Sequence, residues 1–290
     1  MSDTLKQHDF VVSIVVNGAN PNGDPSNENR PRTTLDGGYG EISQMCIKRK
    51  IRNALYYSGE KLFIVSDELV NDDKYSIEER TSEILKGATS AVERKKSMLE
   101  NFIDARLFGF VIAIPKPKDS KKSKRGESAS DDADGASVSC NTRGAVSIVD
   151  ARSTTPIDIE EVNITKSTNG SKTADNKKSS DTMGGCYYKT SGVYVFYGSV
   201  NRFWGEKNMV TEDDVKKLQN AIMNMFENDI SISRPAGSMS IGGIAWWTQE
   251  PEGEKYSIKT LRDSVTINDD DGKITLVENK ALNIKPTILI

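Results

Sequence analysis

Histidine is almost absent from this 290-residue chain, and His8 is the only one. That argues against Ser-His-Asp and Cys-His catalysis, and against zinc or iron sites built on imidazole. An enzyme made from this sequence would have to work with carboxylates, lysines or a divalent ion held by oxygen. Cysteine is scarce too. Cys46, Cys140 and Cys186 stand far apart, which argues against a disulfide framework and a CxxC metal site. No stretch approaches the roughly 20 apolar residues of a membrane span. The opening "MSDTLKQHDF" lacks the apolar core of a signal peptide, so a cytoplasmic location is expected, with His8 in a frayed terminus. Net charge is also missing: 39 basic and 42 acidic residues leave −3, which by itself says nothing for nucleic acid.

What is present starts with the aliphatic run "FVVSIVV", which reads as a central strand from Phe10 to Val16, apolar on both faces. It feeds "GANPNGDPSNENRPRT" (Gly18 to Thr33), with three Pro, two Gly, four Asn and two closing arginines. Gly supplies positive φ, Pro fixes φ, and Asn or Asp side chains bond nearby backbone, so this loop is either a spacer or a shaped surface. Ser43 then caps a predicted helix to about Ser58, with Ile47, Ile51, Ala54, Leu55 and Ser58 on its buried face. "KRKIR" (Lys48 to Arg52) puts four cations in five residues on that helix, with Lys48 and Arg52 one turn apart.

Residues 60 to 88 read as irregular or helical, and a second helix over Ala91 to Ile103 is expected to bury Val92, Leu99, Phe102 and Ile103. "ARLFGFVIAI" (Ala105 to Ile114) reads as a strand. The run 115 to 137 has no aromatic and no large apolar residue, and is expected to be a disordered insertion. Short strands follow around Ala145 to Val149 and Ile157 to Ile164. After a polar stretch from Thr165 to Ser191 comes an alternating strand, "GVYVFYGSV". "TEDDVKKLQNAIMNMFEN" is the clearest helix, capped by Thr211, with Val215, Leu218, Ile222, Met225 and Phe226 in one stripe. "IAWWT" closes the series as a strand. Acids gather in Glu212 to Asp214 and Asp269 to Asp271, away from the cations, which suggests faces with different jobs. The element order suggests an antiparallel α+β fold of ferredoxin-like type in one domain of 290 residues with long insertions.

Several motifs fail on chemistry. Asn20, Asn22, Asp24 and Ser26 alternate like calcium ligands, but Pro25 and Pro31 occupy the positions that need Gly and a bidentate Glu. Gly18 and Gly23 are spaced as in a phosphate loop, but Asp24-Pro25 stands where Lys-Ser/Thr belongs. "RLFGFVIA" (Arg106 to Ala113) partly matches the aromatic octapeptide of RNA recognition motifs. Phe108 and Phe110 on one strand face would serve RNA stacking or core packing alike. Trp246 and Trp247 on opposite faces of a strand read as core plus interface. Asp72/Asp73 and Glu78/Glu79 read as solvated surface. No cofactor or metal is expected.

"NPNGDPSNENRPRT", "GYGEISQMCIKRKIRN", "DARLFG", "RGAVSIVDARS", "SDTMG", "GVYVFYGSVN" and "MFENDISISRPAGSM" together resemble the backbone subunit of type I CRISPR surveillance complexes (Cascade), type I-C in particular. The resemblance spans the chain apart from 115 to 137. It implies an RNA-recognition-motif-like palm with an antiparallel sheet, a helical insertion at 59 to 104 and a protruding thumb hairpin at 165 to 191. It implies no enzyme but an RNA-binding protein of antiviral defence. Copies stack head to tail as a filament along the CRISPR guide RNA (crRNA), and the target DNA strand is read by base pairing. Further implied partners are the subunit that binds the guide's 5′ end, the large and small subunits, and a recruited nuclease-helicase. The RNA-binding residues implied are Asn20, Asn22, Arg30 and Arg32 in the loop and Ser43, Gln44, Lys48, Arg49 and Arg52 at the first helix. Lys166, Thr182 and Met183 in the thumb, with Met183 as a wedge between bases, and Arg234 complete the set. The alternative is a type III-like backbone subunit that cleaves target RNA with a metal, using Asp24.

Overall fold

β1 (Gln7–Ala19) leads into a small ribbon, β2 (Gly23–Asp24) and β3 (Arg30–Pro31), and then β4 (Tyr39–Ile42). Ser43 caps α1 (Gln44–Tyr57) by accepting the Cys46 amide at 3.3 Å. The insertion after it carries α2 (Ile77–Ser82), α3 (Ala91–Asn101) and α4 (Ile103–Phe108), followed by the hairpin of β5 (Gly109–Ile112) and β6 (Cys140–Arg143). Next come β7 (Val146–Ile148), β8 (Ala151–Pro156), β9 (Glu160–Thr165) and the long β10 (Met183–Val200). α5 (Arg202–Lys207), α6 (Glu212–Met223) and β11 (Met239–Gln249) follow. α7 (Ile258–Arg262), the hairpin of β12 (Val265–Ile267) and β13 (Ile274–Leu276), and β14 (Thr287–Leu289) come last. This computed structural model describes residues 4–35, 38–88, 90–112, 140–165, 183–277 and 282–290. The insertion at 115 to 137, Lys166 and Thr182 lie outside the described residues.

The main sheet runs β14-β11-β1-β10-β8-β4, with β7 and β9 also paired to β10, and every pair is antiparallel. β1 sits at its centre because neither of its faces is polar. Phe10, Val12, Ile14 and Val16 face one way, onto Ile47, Ile51 and Leu55 of α1 and Val215, Leu218 and Ile222 of α6. Trp246 lies flat on Phe10, with ring centroids 4.7 Å apart and planes 6° from parallel. Val11 faces the other way, with Val195, Tyr197, Ala245 and Trp247, onto Leu261, Val265 and Ile274 of the C-terminal segment. A third cluster, Phe63, Met98, Leu99, Phe102, Phe110 and Ile112, gives the insertion its own core.

Several sequence expectations need correction. Ala105 to Ile114 is not one strand: α4 occupies its first half and ends at Gly109, φ +76. Any Cβ there would meet the Thr142 carbonyl at 2.4 Å, so only glycine allows helix to pass into strand. Phe108 and Phe110 therefore share no strand face, and Phe110 packs on Phe63, which removes the RNA-stacking reading. The helix expected over Ala91 to Ile103 breaks at Phe102, whose backbone is extended, and Val92 is exposed. The strand expected around Ile157 to Ile164 is β9, which begins at Glu160, and β8 before it was not expected. Trp247 is as buried as Trp246, because α7 and β12–β13 cover the face expected to be an interface.

Acids also serve inside the fold. Asp214, read as part of a surface acid run, is 3% exposed and grips Arg106 through two bonds of 2.7 and 2.9 Å. His8 is not frayed but 3% exposed in β1. Its Nδ1 accepts the Trp246 indole N–H at 3.1 Å, which leaves the ring proton on Nε2, 3.2 Å from Glu212. Burial first of all lowers the His8 pKa, against a smaller upward pull from Glu212.

A second proton on His8 would have to sit on Nδ1, facing the Trp246 donor. Protonation therefore favours the unfolded chain, whose histidine titrates near pH 6.5. Stability from this group is complete above that pH and is lost as pH falls below it. Thermal unfolding between about pH 7.5 and about pH 5.5 should show a falling midpoint that His8→Gln flattens. Asp9, whose pKa burial raises, pulls in the opposite direction, so the comparison is variant against wild type at each pH. Separately, Arg106→Met should cost about 3–5 kcal/mol in denaturant unfolding by stranding Asp214, and Arg106→Met with Asp214→Leu should recover much of it.

Candidate nucleic-acid interface

The loop after β1 is a shaped surface rather than a spacer. Asn20, 5% exposed, donates its side-chain amide to the Asn29 carbonyl at 2.7 Å and its backbone N–H to the Ser233 carbonyl at 2.7 Å. Asn22 accepts the Ser43 amide at 2.9 Å, tying the loop to the cap of α1. Arg32 faces Asp24 at 3.5 Å, and Asp24 also accepts the Ser26 amide at 3.1 Å. The Arg30 guanidinium lies over the Tyr188 ring, 4.6 Å from its centroid, and 3.6 Å from Glu161. The Tyr188 hydroxyl donates to Glu28 at 3.2 Å, closing the contact between loop and β10. The Cys186 thiol, then burial and Glu28, raise the pKa of that phenol.

α1 presents two polar faces besides its apolar one, and the sequence-predicted cations divide between them. Gln44, Lys48 and Arg52 stack at four-residue spacing. Lys48 donates to the Gln44 side-chain oxygen at 3.0 Å, and the Gln44 amide donates to Asp150 at 2.6 Å. Half-burial first, then the neighbouring Arg52, lower the Lys48 pKa, while Asp150 raises it. Arg52 is committed to Asp104, a fully buried carboxylate at 3.0 Å that also accepts the Phe63 and Ile64 amides. The start of α1 therefore already spends the Gln44 and Cys46 amides internally.

The other face, Cys46, Arg49, Lys50 and Asn53, lines a polar cleft of about 330 Å³. Asn22 and Gly23 of the loop, Glu68 of the insertion, and Asp229 and Arg234 close it. At its floor Lys50, 5% exposed, pairs with Asp229, which also holds Arg234 at 3.1 Å. Arg49 reaches Glu68 at 2.7 Å and the Ser66 hydroxyl at 3.2 Å. The cleft brings together Asn22, Arg49 and Arg234 from the predicted set. Lys50, Asn53, Glu68 and Asp229 were missed. The spacing of 46, 49, 50 and 53 on one helix face was a readable signal for the first two; Glu68 and Asp229 come from distant segments and carried none.

β1 stops pairing with β10 at Ala19↔Thr190, and from Lys189 to Met183 β10 pairs with β9 instead. That ribbon therefore extends beyond the end of β1, beside the loop, where a thumb is expected. The ribbon's pairing begins at Lys189↔Glu160. Met183 pairs with Thr165 through the backbone; its side chain, Lys166 and Thr182 are outside the described residues. Among the described residues, no group of three or more His, Cys, Asp or Glu is placed to hold a metal, and no helix is long and apolar enough to cross a membrane.

Two chains in solved complexes are similar at 14% identity. One, titled CRISPR RNA-guided surveillance complex, pre-nicking, has a TM-score of 0.49 and covers 89% of this chain and 84% of its own. The other, titled CRISPR RNA-guided surveillance complex, has a TM-score of 0.43 with coverage of 95% and 90%. The CRISPR-associated protein Cas7 of Haloferax volcanii is 21% identical over 282 residues, covering 90% of this chain and 80% of that protein. The profile of the CRISPR-associated protein Cas7 family matches residues 6–285, nearly the whole length, and the chain belongs to that family.

Proposed function

We propose that this chain is the guide-RNA-binding backbone subunit of a type I CRISPR surveillance complex (Cascade), of type I-C, polymerising head to tail along the guide. The observation that carries the reading is the cleft in a chain of this family: a tied loop, a cation-rich helix face and Arg234 converge beside the projecting β9–β10 ribbon. Phosphate contacts of this kind position a backbone without reading sequence, which suits a protein that presents any guide for pairing with target DNA.

The strand order β11-β1-β10-β8, with α1 after β1 and α6 after β10, follows the β-α-β-β-α-β plan and supports the RNA-recognition-motif-like palm. The mode of binding differs from that motif. There, bases stack on the open sheet face; here Val11, Tyr197 and Trp247 on that face are covered by α7 and β12–β13. RNA is left to the loop, α1 and the thumb, with Met183 as wedge. The subunit is proposed as non-catalytic. Asp24 is occupied by Ser26 and Arg32, an arrangement that suits loop shaping better than metal-dependent cleavage, so complementary RNA should survive incubation with Mg²⁺.

Lys48→Glu with Arg49→Glu tests both polar faces of α1, Arg49 in the cleft and Lys48 beside it. Both side chains reach the surface, so the fold should hold. Affinity should fall alike for all single-stranded RNA sequences, and the slope of log K against log salt should flatten by roughly 0.7 per lost contact. Unchanged affinity and slope would contradict the assignment.

A further inference from the structure

Each cation lining the cleft beside α1 already has a carboxylate, but the two carboxylates are held very differently. Asp229 is shared by Lys50 and Arg234 and its side chain is 16% exposed. Taking it away would leave a buried ammonium without a counter-charge. Glu68 serves Arg49 alone, from the insertion, in a pair whose side chains are 61% and 65% exposed. Arg49 offers a fork: one terminal nitrogen goes to Glu68 at 2.7 Å, and Nε goes to the Ser66 hydroxyl at 3.2 Å. Ser66 in turn donates to Asn53, a cleft-lining residue, at 3.3 Å, so that the hydroxyl bracing Arg49 is itself fixed in place. A guanidinium fork takes carboxylate and phosphate oxygens with the same geometry.

We infer that the Arg49 guanidinium, held in place by Ser66, forms a phosphate subsite whose internal occupant is Glu68, and that a backbone phosphate of bound RNA displaces the carboxylate. The inference rests on the RNA-binding reading above and adds the place and the competitor to it. Glu68 gives way readily because an exposed ion pair shifts an equilibrium by no more than about fivefold. Asp229 does not, since two cations depend on it. The contact therefore trims the affinity of a single subunit for stray RNA, while a guide engaging many subunits offsets the small loss in each.

Glu68→Gln keeps the size and removes the charge. With an oligouridylate probe at about 50 mM salt, it should bind about two- to fivefold tighter than wild type, and the gain should shrink as salt rises. Glu78→Gln, which removes an exposed charge on α2 outside the cleft, should leave affinity unchanged. In an Arg49→Ala background the Glu68→Gln gain should vanish, since the carboxylate acts through that guanidinium. If Arg49→Ala weakens binding but Glu68→Gln does nothing, or its gain persists without Arg49, the subsite is wrong while the RNA-binding site stands. If wild type and Arg49→Ala bind with equal affinity and salt slope, the RNA-binding reading of α1 fails, and the subsite with it.

Discussion

The packing of β1 on both of its faces is the constraint from which the rest of the structure follows. A strand apolar on both sides must lie between two covering layers, and it receives α1 and α6 on one face and α7 with β12–β13 on the other. With both faces of β1 occupied, the centre of the sheet has no open platform for bases. Polar chemistry is pushed to the end of β1, where the chain turns at Gly18 into the tied loop and where β10 runs on with β9. The cap of α1 arrives at the same end through the Asn22–Ser43 bond. The candidate interface is thus a consequence of where the core leaves room.

Electrostatics add a second economy. The sequence offers a dense basic run, yet much of it is engaged within the protein: Arg52 holds Asp104, Lys50 holds Asp229, and Arg49 rests on Glu68. The two buried pairs, Arg52–Asp104 and Lys50–Asp229, fix the geometry of the segments they join but supply no free charge, while the Arg49–Glu68 pair is exposed. One subunit should therefore grip RNA modestly. In the proposed head-to-tail assembly, strong retention would come from many equivalent contacts along one strand, where each further copy binds at high effective concentration.

Much of the fold was legible in local pattern. The apolar run of β1, the Ser43 and Thr211 caps, and the stripe Val215, Leu218, Ile222 all stand as read, because each depends on neighbours within one element. What was illegible depends on distant partners. His8 looked frayed because nothing near it predicts Trp246 or Glu212 beside it. Arg106 to Phe108 looked like strand because its apolar content suits either state; Arg106–Asp214 and the Gly109 turn decide for helix. For the site, residue types in the loop and α1 were readable, but the split of the basic run into two faces, and the carboxylates opposite each, required the three-dimensional arrangement.

The central claim is that this chain holds guide RNA. Expressed beside a CRISPR array and purified, it should carry RNA of uniform length that matches the array's processed transcripts, and an absorbance ratio should show nucleic acid in proportion to protein. Protein recovered free of nucleic acid, or carrying RNA of random length and sequence from the array-bearing cells, would contradict the account.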